Sequence, residues 1–332
     1  MALALSLLLL ACGGCGSKAE PTVSIPAANT SSPAPQATAE AVARPTPERT
    51  AEAISDDARL ITDMAGREVR LPQRVTRVVA LSPAGCETLF ALGVEETLIG
   101  RSEDCVYPPE ASDLPVYALA GEGDPDRIIS QHPDLVLVDG TDRREDAIAR
   151  LEQAGIPVLV CGAETVADTY GSLRLLGRVF DAQEQAEGIV RTMEDAFALI
   201  QADPIAGRKT VYFELETASG LRTAGRGTFL NDVAEGMGLT NCFRDMEGWV
   251  DVTAAQVGER DPDFILVVTP YYGEGAAPEE ELMCRDAWQN MKAVREMNVV
   301  AMPDNELSYA GPRLMDGAQM LYDFVVESLA AE

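Results

Sequence analysis

One sequence pattern occurs twice in this chain, once on each side of its midpoint. The first copy is DRIISQH at residues 126–132, followed by PDLVLV at 133–138; the second is AQVGERD at 255–261, followed by PDFILVV at 262–268. In each copy, a helical segment leads through a Pro-Asp pair into an apolar run that is typical of a buried strand. Two copies of one α/β unit predict two similar lobes. A cleft between two lobes is a common place for a ligand.

The charge of the chain argues against several classes of partner. The 332 residues carry a formal net charge of −28 at pH 7, whereas binding to nucleic acid or to anionic lipid headgroups needs clustered Lys and Arg. We therefore predict no nucleic-acid partner. Most of the acids keep the protein soluble through mutual repulsion, and a few are left for recognition. At this length, with 46% hydrophobic residues, the chain can form about two domains.

Histidine chemistry is limited to one residue, His132. Its position at the junction of a predicted helix and a predicted strand favours a capping or solvated role. One histidine cannot build a zinc or manganese site that needs several, and it gives little basis for a Ser-His-Asp or Cys-His catalytic system. We expect no resident metal and no catalytic residues.

The start of the chain has the features of an export signal. An apolar run at residues 3–10, too short to span a bilayer, ends in the sequence LLAC, with Cys12 as its last residue. This ending resembles the bacterial lipobox, so we predict a signal peptide over residues 1–12 with lipidation at Cys12. Cys15 is a poorer candidate because no aliphatic residue stands shortly before it. No Lys or Arg precedes the apolar run, which leaves open whether Met1 is the natural start.

The next segment, residues 13–57, is rich in Ala, Pro, Thr, Ser and Glu and contains almost no large apolar residues. Such a segment cannot bury enough surface to offset its chain entropy, so we predict a disordered tether. A lipid anchor followed by a tether suits a folded part that works at a membrane surface. We therefore expect an exported protein, anchored by its lipid to the outer face of the bacterial cytoplasmic membrane.

The remaining chain alternates between strand and helix signals. Seven apolar runs predict strands: 78–81, 98–100, 135–138, 158–161, 211–215, 264–268 and 299–302. Helical patterns lie between them, which predicts an α/β fold with mainly parallel sheets. We assign an N-terminal lobe to residues 58–164, a connecting helix to 165–180 and a C-terminal lobe to 183–331.

Several segments, taken in order, resemble one family. They are ITDMAGREV at 61–69, RVVALSP at 77–83, ETLFALG at 87–93, CVYPP at 105–109, the two Pro-Asp strands, GRGTF at 225–229 and GPR at 311–313. With a lipobox before them, they resemble the substrate-binding lipoproteins of bacterial ABC importers for iron complexes and vitamin B12. The resemblance covers about residues 60–330. It implies a class III periplasmic-binding-protein-like fold, in which one rigid connecting helix joins two similar α/β lobes and permits only small hinge motion.

The resemblance also implies that an acid on the rim of each lobe docks onto arginines of the permease. Asp126 lies seven residues before the first Pro-Asp pair, but Ala255 stands at the same place before the second. Glu259, one helical turn further on, or Asp251 is the replacement that we expect. A short acid that pairs with Arg across an interface steers association; capping of its own helix is an alternative role for Asp126.

The cleft of an α/β fold is formed by loops at the carboxyl ends of its strands. From these loops we select eight candidates for ligand binding: Ser82, Tyr107, Arg222, Arg226, Trp249, Tyr271, Tyr272 and Arg313. By the resemblance, Trp249 matches a Trp that packs on the ligand in cobalamin-binding members, whereas Ala120 stands where those members have another Trp. The arginines could pair with carboxylates of an iron chelate or haem, and the tyrosines could stack on a ligand or ligate haem iron. Packing and salt-bridge roles inside the protein are the alternatives.

Five cysteines follow the tether: Cys86, Cys105, Cys161, Cys242 and Cys284. An exported protein meets oxidising conditions, so disulfides are allowed, but their pairing cannot be read from sequence. Because Cys86 and Cys105 fall in neighbouring loops on the predicted cleft side, we hypothesise a bridge between them. Free reactive thiols in the cleft are the alternative.

Taken together, these features favour a monomeric binding protein without enzymatic activity. We expect it to capture an iron chelate, either a siderophore or haem, and to deliver it to an ABC permease and its ATPase, with no cofactor besides that ligand. Cobalamin is the alternative ligand. A sensor that has lost transport is a further alternative, suggested by Ala255. A secreted hydrolase or reductase lacks support, because no nucleophile–base pair is evident and GRG at 225–227 lacks the remaining features of a dinucleotide site.

Overall fold

The computed structural model describes residues 58–119, 124–140, 145–217, 220–273, 275–303 and 305–331. Contacts divide the chain into units at residues 1–48 and 49–332, and every described residue belongs to the second unit. The predicted signal peptide, the lipidation site Cys12 and the tether at 13–57 lie outside the described residues. Within the described ranges, no helix has both the length and the apolar character needed to cross a membrane.

This part of the chain is built from alternating strands and helices. The strands are β1 (Arg59–Thr62), β2 (Glu68–Leu71), β3 (Val78–Ala80), β4 (Leu98–Arg101), β5 (Leu135–Val138), β6 (Val158–Val160), β7 (Thr210–Thr217), β8 (Gly220–Ala224), β9 (Thr240–Asn241), β10 (Trp249–Val252), β11 (Phe264–Val267) and β12 (Val299–Ala301). The helices are α1 (Pro83–Ala91), α2 (Asp124–Ser130), α3 (Glu145–Gln153), α4 (Val166–Val179), α5 (Gln183–Ala202), α6 (Phe229–Gly236), α7 (Ala254–Arg260), α8 (Pro278–Met283), α9 (Lys292–Arg295) and α10 (Leu314–Ala331).

The N-terminal lobe surrounds a parallel sheet with the strand order β4-β3-β5-β6. Its strands lie where the apolar runs predict them, because β3, β5 and β6 are buried along their whole length and parallel strands are covered on both faces. Helix α1 begins directly after β3. Ser82 caps it, and Pro83 at its first position has no N–H that needs a partner. Gly93 ends this segment in the left-handed region, with φ of 71°.

The C-terminal lobe repeats this arrangement and adds to it. Strands β9, β7, β11 and β12 are parallel neighbours in the order of the N-terminal sheet, which confirms the prediction of two similar lobes. The sequence did not predict β8 and β10, which extend β7 on one edge as antiparallel strands. Both are partly exposed and therefore lack a continuous apolar run. We had expected Trp249 to lie in a loop, but it is the first residue of β10.

The Pro-Asp pair has the same structural role in both lobes. Asp134 Oδ2 accepts hydrogen bonds from Thr76 N (2.9 Å), Thr76 Oγ1 (2.8 Å) and Arg77 N (3.1 Å), just before β3. Asp263 Oδ2 accepts hydrogen bonds from Thr210 N (2.8 Å) and Thr210 Oγ1 (2.9 Å), at the start of β7. Each carboxylate therefore holds the beginning of the strand next to its own.

The residue before each Pro-Asp pair ends a helix in the left-handed region. His132 has a φ of 47° and Asp261 a φ of 40°. A residue before proline is disfavoured in the right-handed helical region, so each helix stops at this point. His132 is exposed and its backbone N–H donates to Ile129 O at 3.0 Å. The capping role predicted for this histidine matches that geometry.

Helix α4 connects the two lobes and packs into the core of each. Val166 and Leu173 belong to the C-terminal core, whereas Leu176 and Val179 belong to the N-terminal core. Thr165 opens the helix with a capping box, which satisfies backbone donors at its first turn. A helix anchored in two close-packed cores resists bending. This geometry permits only small motion between the lobes.

Replacing Asp263 with Ala should lower the free energy of unfolding by about 2 kcal/mol at pH 7, because charge-assisted hydrogen bonds are lost. Burial alone would raise the pKa of the Asp263 carboxyl, but bonds from Lys292 and Thr210 hold that pKa below its ordinary value of 3.8. The contribution of this carboxylate to the free energy of unfolding is therefore complete above its unfolded-state pKa. It is lost as the pH falls through the lower, folded-state pKa.

Urea unfolding of the wild type and Asp263→Ala between about pH 7 and pH 3 measures this contribution. Asp195→Ala, on the exposed face of α5, is the control and should change stability by less than about 0.5 kcal/mol. A difference between wild type and Asp263→Ala that does not shrink in acid would contradict the charge-assisted role of this carboxylate.

Candidate functional site

A cavity of about 210 Å³ lies between the two lobes. Its walls come from the carboxyl ends of β5 and β6, from the starts of α1 and α6, from β7, β8 and β10, and from the loop at residues 308–310. The residues that line it are Ala84, Asp139, Gly140, Gly162, Ala163 and Glu164 on one side, and Leu215, Arg222, Phe229, Trp249, Ser308, Tyr309 and Ala310 on the other. The cleft predicted from the repeat is therefore present at the expected ends of the strands.

The polar part of the N-terminal wall is centred on Asp139, directly after β5. Ser82 Oγ donates a hydrogen bond to Asp139 Oδ1 at 2.6 Å and accepts one from Gly85 N at 2.9 Å. Ser82 is fully buried, so it orients Asp139 and does not line the cavity. A Cβ on Gly162 would lie 2.6 Å from Gly140 N, so only glycine lets the loops after β5 and β6 meet behind this carboxylate.

The C-terminal wall is largely apolar. The rings of Trp249 and Phe229 are tilted at 58° to each other with centroids 5.6 Å apart, and Leu215 lies beside them in the cavity lining. Among the described residues of the lining, Arg222 is the one that is basic. Its Nη2 donates to Trp249 O at 3.4 Å and its Nε lies 3.8 Å from Asp251 Oδ1. The cleft is thus lined by aromatic side chains from one lobe and by a carboxylate from the other.

A buried ion pair joins the two lobes. Arg313 Nη2 lies 3.1 Å from Glu87 Oε2, and Arg313 N donates to Glu87 Oε1 at 3.1 Å. The Arg313 guanidinium also stacks on Tyr107, 3.6 Å from the ring centroid, and lies 3.8 Å from Glu306 Oε1. Burial raises the pKa of Glu87, and Arg313 opposes that rise.

A second set of contacts joins the lobes beside this ion pair. Tyr272 Oη donates to Asp104 Oδ1 at 3.3 Å and lies 3.2 Å from Tyr309 Oη. Burial raises the pKa of Tyr309, so its phenol stays neutral. We call the whole set the interlobe clasp: Glu87, Asp104 and Tyr107 of the N-terminal lobe, with Tyr272, Tyr309 and Arg313 of the C-terminal lobe.

The eight predicted ligand-binding residues therefore have different positions. Trp249 and Arg222 line the cavity. Tyr107, Tyr272 and Arg313 contact the opposite lobe within the clasp, and Ser82 lies beneath the cavity floor. Arg226 is exposed and bonds to Glu247 at 2.8 Å; Tyr271 Oη donates to Gly275 O at 3.3 Å. Neither of these two belongs to the cavity lining.

Sequence reasoning missed Asp139 and Glu164, which are the two acids among the described residues of the cavity lining. A signal for Asp139 was present, because it is the first polar residue after the strand of the first Pro-Asp copy. Residues that follow a parallel strand lie at the ligand-binding edge of the sheet. Glu164 follows β6 in the same way, after three small or apolar residues. Among the described residues, no group of three or more His, Cys, Asp or Glu could hold a metal ion.

The predicted permease-docking residues are both accessible. Asp126 lies in the first turn of α2 and its Oδ2 accepts a bond from Arg150 Nη2 at 2.7 Å, with both side chains more than half exposed. Glu259 is exposed on α7. Ala255, also exposed, follows Thr253, which caps α7 in a capping box. The docking role itself stays a prediction.

Two α/β lobes around a cleft, joined by one helix and clasped at one end, define a ligand-capturing binding protein. The chain belongs to the periplasmic binding protein family, whose model matches residues 78–306. This confirms the family and the fold expected from the sequence segments. The protein is accordingly an exported substrate-binding protein.

Relatives and solved structures agree with this assignment. An uncharacterised ABC transporter substrate-binding lipoprotein of Bacillus subtilis is 28% identical over 276 residues, covering 80% of this chain and 84% of that protein. A vitamin B12-binding protein of Salmonella typhimurium is 28% identical over 246 residues, covering 74% and 88%. The structure of an Fe3+-hydroxamate transport protein from Saccharomonospora viridis is 24% identical, with a TM-score of 0.66 over 80% of this chain and 98% of that one.

Replacing Arg313 with Ala should lower the free energy of unfolding by about 3 kcal/mol, because it removes the cation that faces the buried Glu87 carboxylate. For a folded part of this size, the melting temperature should fall by roughly 10 °C. Arg226→Ala is the matched control, since its ion pair with Glu247 is exposed and contributes less than about 1 kcal/mol. Thermal unfolding of both variants measures the effect. Equal shifts for the two arginines would show that the interlobe pair is not a stabilising contact.

Proposed function

We propose that this protein captures a neutral or cationic metal chelate of the corrinoid class, such as cobalamin, in the interlobe cleft and delivers it to an ABC permease and its ATPase. The observation that carries the proposal is the cavity itself, whose lining combines an apolar aromatic wall at Trp249 and Phe229 with carboxylates of the other lobe at Asp139 and Glu164. A flat macrocycle buries much apolar area against such a wall. Carboxylates accept hydrogen bonds from amide N–H groups, which the corrin periphery carries.

The charges of the described residues around the cavity argue against an anionic chelate, and they change the order of ligands expected from the sequence. From the sequence, Arg222, Arg226 and Arg313 were the candidates to pair with the carboxylates of an iron chelate or haem. Arg226 pairs with Glu247 and Arg313 with Glu87, while the Arg222 side chain lies beside an acid of its own lobe. An anionic ligand would also meet the repulsive field of a strongly acidic protein.

The size of the cavity bears on how the ligand would bind. Its volume of about 210 Å³ is below the range of about 300–1,000 Å³ that is usual for enclosed ligand sites. A macrocycle would therefore occupy the mouth of the cleft, with one face or edge against Trp249 and the remainder outside. The clasp and α4 limit closure, so the protein would bind this ligand without wide movement of the lobes.

Similar proteins support the proposal to different degrees. Relatives named as vitamin B12-binding proteins are 27–28% identical to this chain, and a cobalamin-binding protein of Halobacterium salinarum is 26% identical over 263 residues.

A neutral or cationic ferric hydroxamate is the second candidate. It would also suit Asp139 and Glu164, which favour ligands that bring positive charge or N–H donors.

Delivery would use the rims of the two lobes. We assign permease contacts to Asp126 and Glu259, which are exposed on α2 and α7. The bond of Asp126 to Arg150 is exposed, so a permease arginine can replace that partner at little cost. We further propose anchoring through a lipid at Cys12, which would keep the folded part near the permease.

A titration of the purified, ligand-free protein tests this function. Cyanocobalamin should bind with 1:1 stoichiometry and raise the melting temperature, because a ligand that favours the folded state must stabilise it. Trp249→Ala should weaken binding at least about tenfold, the equivalent of one lost aromatic stacking contact. Arg226→Ala should change the dissociation constant less than about twofold, since that side chain lies outside the cavity.

Haem and a ferric hydroxamate such as ferrioxamine are measured in parallel by calorimetry. Tight binding of ferrioxamine without cobalamin binding would support the second candidate. Tight binding of haem alone, or a protein stabilised by none of the three ligands, would contradict the proposal.

A further inference from the structure

The thiols of Cys86 and Cys105 lie in the buried core of the N-terminal lobe. Both side chains are buried, with exposures of 0% and 1%, and both are free thiols that belong to the same apolar core cluster. They are close enough for each thiol to shift the pKa of the other. Cys105 Sγ also lies 3.0 Å from Ser102 Oγ and donates to Ala80 O at 3.5 Å. These contacts hold Cys105 against Ala80 at the end of β3, just before the start of α1.

The two cysteines stand next to residues of the interlobe clasp. Cys86 precedes Glu87 on α1, and Cys105 lies between Asp104 and Tyr107 in the loop after β4. Every clasp residue of the N-terminal lobe is thus within two residues of one of these cysteines. A link between the two would hold the loop and α1 in the arrangement that the C-terminal lobe contacts.

We propose that Cys86 and Cys105 form a disulfide in the exported protein, and that this bridge preorganises the N-terminal half of the clasp. The family acts outside the cytoplasm, where disulfides form and persist. The bridge would form during folding, before the loop closes over the thiols. It is a modification site distinct from the ligand cavity, and its test does not depend on which ligand the cleft binds.

The chemistry requires an external disulfide, R–S–S–R, of the glutathione or thiol oxidoreductase class. One cysteine thiolate displaces R–S⁻ to give a mixed disulfide, and the other thiolate then displaces the second R–S⁻. The two cysteines together lose two electrons and two protons, and the oxidant leaves as two R–SH molecules. In the folded protein, the hydrogen bond to Cys105 and burial raise the pKa of Cys86, which opposes its existence as a reactive free thiolate.

The other three cysteines of the described residues are less suited to form a disulfide with Cys86 or Cys105. Cys161 packs against the start of α1, where its Sγ is 2.9 Å from a Cβ built on Gly85, and it donates to Val138 O at 3.6 Å. Cys242 and Cys284 belong to the C-terminal lobe. Cys86 and Cys105 are therefore the better-suited pair, because Cys161 already donates to the backbone of β5.

Peptide mapping tests the proposal directly. The full chain is refolded with oxidised and reduced glutathione, unfolded in guanidinium, alkylated with N-ethylmaleimide and digested without reduction. We expect a linked peptide pair that contains Cys86 and Cys105, with Cys161, Cys242 and Cys284 alkylated. Alkylation of both Cys86 and Cys105, or a link from either of them to Cys161, would overturn the proposal.

Thermal unfolding gives a second, independent measurement. The bridge closes a loop of about 20 residues, so dithiothreitol should lower the melting temperature of the wild type by roughly 5–10 °C. The double variant C86S/C105S should melt at a lower temperature than the wild type and lose its response to dithiothreitol. C284S, which changes an exposed cysteine of the other lobe, should keep that response. A wild type whose melting is unaffected by dithiothreitol would contradict a stabilising bridge, even if the double variant fails to fold.

Discussion

The buried pair of Glu87 and Arg313 is the contact on which the geometry of the cleft depends. It joins residues 226 positions apart in the chain, one at the second turn of α1 and one at the start of α10. Two charges removed from water are stable only when each satisfies the other, so the lobes must stay together for this pair to persist. With α4 as the second connection, the lobes are held at two separate places, and the cleft is formed before a ligand arrives.

The same segments that build the clasp also support the ligand cavity. Helix α1 carries Glu87 into the clasp, and its cap Ser82 orients Asp139 in the cavity wall. The loop at residues 308–313 lines the cavity with Tyr309 and then supplies Arg313. A change in the clasp should therefore be felt in the cavity, because close-packed elements transmit displacements. A preformed cleft of this kind binds at low ordering cost, which is the energetic advantage of preorganisation.

Much of the fold could be predicted because its signals are local. Buried parallel strands have continuous apolar runs, and the Pro-Asp copies mark equivalent strands in the two lobes. Strands β8 and β10 were not predicted, because they are partly exposed and lack a continuous apolar run. A salt-bridge role was an alternative for Arg313, but the partners of Arg313 and Tyr272 could not be predicted, because they lie in the other lobe and no local pattern encodes such a contact. Trp249 was found because it matches a Trp that packs on the ligand in cobalamin-binding members of the family, whereas Asp139 is one acid among 54 Asp and Glu residues.

A crystal structure determined both without ligand and with cyanocobalamin tests the central claim most directly. The account predicts that the Glu87–Arg313 pair is present in both states, that the lobes keep the same relative orientation, and that the corrin lies against Trp249 at the mouth of the cleft. Lobes that are separated in the ligand-free crystal, with Glu87 and Arg313 each exposed to solvent, would contradict a preformed cleft held by the clasp.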